Sequence, residues 1–167
     1  TLDSTVSHAL LSDVDMSSTD GFQMIATSRL RVLVVENSDF EFTGLAPTTT
    51  GYAIGVQANR VFALNNTFYT NERMFVLAGG SRENGELYVV GNSIQFDGTG
   101  PMGPIQLSYG TNVFANNAYD SNGGATLAWL GSPANSWTPA ASVLNNLVNL
   151  NLYQYMGISG NGVANDY

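Results

Sequence analysis

The sequence predicts an all-β chain: a right-handed parallel β-helix of about six rungs, with three short strands to each rung. Three observations predict it. An apolar, β-forming run that ends in Asn-Asn or a near relative recurs along the chain, in Val61-Phe-Ala-Leu-Asn-Asn66, Leu87-Tyr-Val-Val-Gly-Asn92, Asn112-Val-Phe-Ala-Asn-Asn117 and Ala141-Ser-Val-Leu-Asn-Asn146. Val32-Leu-Val-Val-Glu-Asn37 and His8-Ala-Leu-Leu-Ser-Asp13 fit the same frame, and the steps between successive turn residues are 24, 29, 26, 25 and 29 residues. A degenerate period of this length in a β-rich chain marks a stacked repeat. Within each period, short strand-like runs alternate with turn residues three at a time. No stretch carries a sustained helical stripe, and all five prolines fall between strand runs, where intact ladders require them.

Each element follows from its residues. The first two rungs begin with the runs that end at Asp13 and Asn37. In the third, residues 60–64 form a strand, Asn65-Asn66 a turn, residues 67–70 a second strand, residues 71–73 a corner and residues 74–77 a third strand. Asn serves at the turn because it enters the left-handed region at low cost. The fourth rung repeats this with Leu87–Val90, Asn92, Ser93–Phe96 and Ile105–Leu107, and the fifth with Val113–Ala115, Asn117, Ala118-Tyr119 and residues 125–130. The sixth turns at Asn146. Pro- and Thr-rich gaps at 45–50, 98–104 and 132–139 are predicted loops. A propeller blade needs four strands in about 40–45 residues, which does not match this period. Residues 1–167 read as one domain.

Numbered from its turn residue, each rung assigns roles to side chains. The residues two before the turn (Leu11, Val35, Leu64, Val90, Ala115, Leu144) are all apolar and share a face with it. With that face inward, Asn37, Asn66, Asn92, Asn117 and Asn146 stack as an internal amide ladder, since buried amides persist only when paired. The residues three before the turn (Leu10, Val34, Ala63, Val89, Phe114, Val143) are also all apolar and are expected on the outside. A stripe that long needs a cover. The expected cover is a symmetric homo-oligomer, with the loops at 45–50 and 132–139 or a further segment of chain as the alternative. Phe68 and Tyr119 share an offset with Ile94 and Val148 and are expected inside.

The rung length and the turn asparagines resemble the right-handed parallel β-helix, or pectin-lyase-like, superfamily, shared by polysaccharide lyases, hydrolases and bacteriophage tailspikes. The resemblance extends from residue 8 to about residue 160. It implies the fold, and through the tailspikes a homotrimer and a place on a virion. It specifies function weakly, because one fold hosts many activities.

Composition narrows the partners. The net charge is −8, with no Lys and only Arg29, Arg31, Arg60, Arg73 and Arg82 as basic residues. No basic patch larger than Arg29/Arg31 is visible, so neither nucleic acid nor an anionic membrane surface is an expected partner. No apolar run approaches the length that spans a bilayer. Without Cys there is neither a disulfide frame nor a thiolate metal site. The chain starts at Thr1, as expected of a processed product or a segment of something longer. Polarity carried by Asn, Ser, Thr and Gly accords with a virion or extracellular surface.

Few residues offer chemistry. His8 is the only His, so no Ser-His-Asp set and no two-His metal site can be assembled. The resemblance to lyases implies a Lys or Arg base beside acidic Ca²⁺ ligands, but Lys is absent and the Arg residues do not align in the rung frame. Asp13, Asp15, Asp39 and Glu41 form the best carboxylate group. Asp15 and Asp39 lie two residues past successive turns, so their backbones are expected about 4.8 Å apart. Carboxylates that close act as a glycosidase pair, hold a cation or form a solvated acidic edge. Asp13, Asp15 and Asp39 are the Ca²⁺ candidates; no other cofactor is expected. Tyr69, Trp129 and Trp137 are the candidate sugar platforms. Asn65-Asn66-Thr67 is a glycosylation sequon. The reading this supports is a non-enzymatic structural or receptor-recognition module of a virion (tailspike, fibre or capsid decoration), in contact with other virion proteins or a surface polysaccharide. The alternatives are a polysaccharide-cleaving hydrolase or lyase and a bacterial surface adhesin module.

Overall fold

A computed structural model describes residues 7–19, 25–26, 30–43, 52–56, 58–70, 75–79, 82–96, 105–107, 109–121, 128–130, 140–144, 147–150, 156–158 and 163–166. The described residues are all-β, with parallel sheets and no helix. In chain order the strands are β1 (His8–Ser12), β2 (Asp15–Ser18), β3 (Ile25–Ala26), β4 (Val32–Glu36), β5 (Asp39–Phe42), β6 (Tyr52–Val56), β7 (Arg60–Leu64), β8 (Thr67–Thr70), β9 (Phe75–Gly79) and β10 (Arg82–Val90). They continue with β11 (Ser93–Phe96), β12 (Ile105–Leu107), β13 (Tyr109–Ala115), β14 (Ala118–Ser121), β15 (Ala128–Leu130), β16 (Ala140–Leu144), β17 (Leu147–Leu150), β18 (Met156–Ile158) and β19 (Val163–Asp166).

Every third strand joins the same sheet. The seven-stranded sheet runs β1-β4-β7-β10-β13-β16-β19, and two six-stranded sheets run β2-β5-β8-β11-β14-β17 and β3-β6-β9-β12-β15-β18. This order is compatible with a β-helix, since each strand pairs with its counterpart one period along.

Pairing continues around the corner between the first two sheets. Asn37, Asn65 and Gly91 donate their N–H groups to the carbonyls of Leu64, Val90 and Ala115. Asp39, Thr67, Ser93 and Ala118 donate theirs to Val14, Ser38, Asn66 and Asn92. The corner turns on residues with positive φ: Asp13, Asn37, Asn65, Gly91 and Asn116. Asp and Asn tolerate that region, and Gly91 needs it free of Cβ, which would lie 2.4 Å from Asn65 Oδ1.

These φ values correct the sequence frame. Asn37 is exposed and occupies the left-handed position, equivalent to Asn65 rather than Asn66. The buried column one residue further on is Ser38, Asn66, Asn92 and Asn117. Asn146 lies outside the described residues.

The column is bonded side chain to side chain. Asn92 Oδ1 accepts from the backbone N–H and Nδ2 of Asn66, at 2.9 and 3.0 Å. Asn92 Nδ2 donates to Ala63 O and to Asn117 Oδ1, each at 2.9 Å. All four hydrogen-bonding sites of the amide are filled. Toward the N-terminal end Ser38 donates its N–H to Asn66 Oδ1 and its hydroxyl to Glu36 O, while its Oγ accepts from Val14 N–H.

A slip of one residue flips every side chain to the other face of a strand. The expected outer stripe therefore mixes two faces. Leu10 is 62% exposed and Val34 half-buried, but Ala63, Val89 and Phe114 are fully buried. Val143 pairs in register with Phe114; its side chain is outside the described residues. Conversely, Leu64 and Val90, expected inside, are half-buried on the outer side. The core beneath the seven-stranded sheet is Leu33, Val35, Val61, Ala63, Leu87, Val89 and Phe114. Beneath its neighbour Phe40, Phe68 and Ile94 line up, with the Phe40 and Phe68 rings stacked at 5.3 Å. Tyr109 is fully buried, donating its hydroxyl to Ala58 O, and Asn112 Nδ2 donates to Tyr109 O.

Candidate functional site

The polar side chains gather on the outer face of the β2-β5-β8-β11 sheet. Strand alternation sends Phe40 inward and its neighbours Asp39 and Glu41 outward. Parallel register then aligns two outward rows. Asp15, Asp39, Thr67 and Ser93 form one, and Ser17, Glu41, Tyr69, Gln95 and Asp120 the other. A groove of about 390 Å³ lies over these rows, lined by Asp15, Asp39, Phe40, Glu41, Thr67, Tyr69 and Gln95. Tyr69 is half-buried, while Asp15, Asp39, Glu41, Thr67 and Gln95 are exposed. The lining carries three carboxylates and no basic residue.

Four of the residues singled out from sequence, Asp15, Asp39, Glu41 and Tyr69, thus meet in one groove. Asp15 and Asp39 are direct partners on adjacent strands. Asp13 stands apart on the corner, where Ser12 Oγ donates to its Oδ2 at 2.9 Å. Among the described residues no group of three or more His, Cys, Asp or Glu is placed to hold a metal ion. Trp129 belongs to β15, in the other six-stranded sheet, paired with Gln106 and Gly157; its side chain, like Trp137 as a whole, lies outside the described residues. Thr67 and Gln95 escaped the sequence reading. Their signal was register: both occupy the offsets from the ladder residue that Asp39 and Glu41 occupy.

The outer face of the seven-stranded sheet is different. Its central row is Leu10, Val34, Phe62, Tyr88, Val113 and Ser142. The Phe62 and Tyr88 rings stack with centroids 4.9 Å apart and planes 6° from parallel. In the flanking row Arg60 and Glu86 are register partners and form an ion pair at 3.2 Å. Tyr88 donates its hydroxyl to Glu86 Oε2 at 3.3 Å. Burial pushes the Tyr88 phenol above its usual pKa of 10, and the charge and hydrogen bond of Glu86 add to this, while Arg60 pulls the other way.

No protein-family model, no curated protein and no solved structure matches the chain.

Proposed function

We propose that this chain is a right-handed parallel β-helix of about six rungs that serves as a rigid recognition module, with a surface glycan as its ligand. The observation that carries the reading is the groove of Asp15, Asp39, Glu41, Thr67, Tyr69 and Gln95, which crosses four neighbouring parallel strands. A glycan laid across the strands meets a new pair of side chains about every 4.8 Å, close to the length of a sugar ring. Tyr69 offers a ring face, and the carboxylates, Thr67 and Gln95 offer acceptors and donors for hydroxyls. Three carboxylates with no cation repel uronates, so the ligand is a neutral glycan. The acidic, Lys-free, Cys-free composition suits a virion part or an outer cell surface. Titration calorimetry against neutral and uronate-rich oligosaccharides tests this. Binding of the neutral class, weakened in Tyr69→Ala, supports the reading; no binding to either class sinks it.

One observation favours a second reading, a glycoside hydrolase. Asp15 and Asp39 are register partners, and a retaining pair needs carboxyl groups roughly 5–5.5 Å apart. Release of reducing ends that disappears in both Asp15→Asn and Asp39→Asn would establish it over simple binding.

A further inference from the structure

The outer face of the seven-stranded sheet asks for an occupant. We propose that it is a second copy of this chain, packed face to face about a two-fold axis that runs along the strands between β7 and β10.

Charge argues for a copy. The chain carries −8, so two copies repel, and they repel least where the charge is lowest. The described outer rows of the polar sheet hold Asp15, Asp39, Glu41 and Asp120 with no cation. The three outward rows of the apolar face hold Glu36, Arg60 and Glu86, of which the last two already form an ion pair. Its central row is apolar from Leu10 to Val113 but for the Tyr88 hydroxyl.

Register argues for the axis. A two-fold interface is self-complementary: if residue i meets j, then j meets i. Rotation about an axis along the strands keeps each row facing itself and exchanges β7 with β10. Arg60 then faces the partner's Glu86, Glu86 faces the partner's Arg60, and Phe62 faces the partner's Tyr88. The four charges alternate in sign around the axis. One strand further out, Val34 faces the partner's Val113. The other in-plane axis, along the stacking direction, instead sets Arg60 against the partner's Leu64 and Glu86 against the partner's Val90. That leaves charges buried on apolar groups, which is costly. A three-fold arrangement brings two different patches together and does not use this symmetry.

Size sets the strength. From β1 to β16 and across the three outward rows the face covers roughly 24 Å by 13 Å, about 300 Å² when flat. That is well below the roughly 800 Å² per partner of a standard stable complex, so the dimer is weak and dissociates on dilution.

Sedimentation velocity of the full chain, from micromolar to submillimolar concentration, tests the proposal. The wild type should pass from monomer to dimer. Arg60→Glu and Glu86→Arg should each raise the dissociation constant at least about tenfold, because like charges then meet across the axis. An equimolar mixture of the two variants should dimerise again. In the mixed dimer positions 60 and 86 carry opposite charges across the axis on both sides, although neither chain regains its internal pair. The double variant Arg60→Glu/Glu86→Arg should also dimerise, which keeps the test valid if a single variant folds poorly by circular dichroism. A wild type that stays monomeric, a trimer, or a mixture and double variant that both fail to dimerise overturns the proposal.

Discussion

The two described outer faces are made by the same alternation on strands joined by a single corner, yet they carry opposite chemistry. Between the ladder residues both sheets bury an apolar row, Val35, Ala63 and Val89 on one side and Phe40, Phe68 and Ile94 on the other. Outside, one shows Val34, Phe62, Tyr88 and Val113, and the other Asp39, Thr67, Glu41, Tyr69 and Gln95. These inner residues are buried, whereas the outer rows are free to differ in chemistry and add only local cross-strand contacts such as the Phe62–Tyr88 stack and the Arg60–Glu86 pair. The amide column lies at the corner between the two faces.

The largest effect is expected where the faces join. Asn92→Ala removes an amide whose four hydrogen-bonding sites are filled, leaving the buried Asn66 backbone N–H and one Nδ2–H of Asn66 without their acceptor. At about 1–3 kcal/mol for each stranded group, the loss should be about 3–5 kcal/mol, read from the denaturant midpoint. A loss below about 1 kcal/mol would mean that the column does not hold the corner.

Gly91→Ala probes the same corner from the outside. Its φ of +73° disfavours a side chain, and the new Cβ would push on Asn65 Oδ1. Because that contact is the end of a side chain, the expected cost is about 1–2 kcal/mol, mostly from the backbone. Thermal melts of Gly91→Ala and Gly91→Asn should separate, with Asn the milder change.

The faces themselves should respond separately. Tyr69→Ala should weaken glycan binding roughly tenfold, the worth of one aromatic contact, and leave sedimentation unchanged. Phe62→Ser should do the reverse, reducing association while leaving calorimetric binding intact. A variant on one face that moved both readouts would show that the two are not independent.

The smallest effect is a titration. Because the Tyr88 pKa is raised in the folded state, the stabilisation tied to its neutral form is complete below pH 10. It is lost as pH rises through the elevated folded value. In tyrosinate absorbance Tyr88→Phe should remove a component that titrates above 10, and Glu86→Gln should move that component back toward 10.

Period, strand content and four of the groove residues, Asp15, Asp39, Glu41 and Tyr69, could be read from the chain, because each follows from a local pattern. Asp15 and Asp39 share an offset from Asp13 and Asn37, and that offset survives in the register. The inside and outside of the seven-stranded sheet could not. Asn37 and Asn66 look equivalent in sequence, but Asn37 makes the turn and Ser38 fills the buried column, whereas Asn65 makes the turn before Asn66. One residue of slip sent Ala63, Val89 and Phe114 to the wrong side.

The order of residues alone settled that strands recur every 24 to 29 residues and that Asn and Gly bend the chain between them, since backbone preference and alternation act over a few neighbours. Which asparagine is buried, and hence which side chains look outward, was settled only by contact between turns. An amide is stable inside only when the turns before and after it present the matching carbonyl and N–H, and those partners lie 25 to 31 residues away.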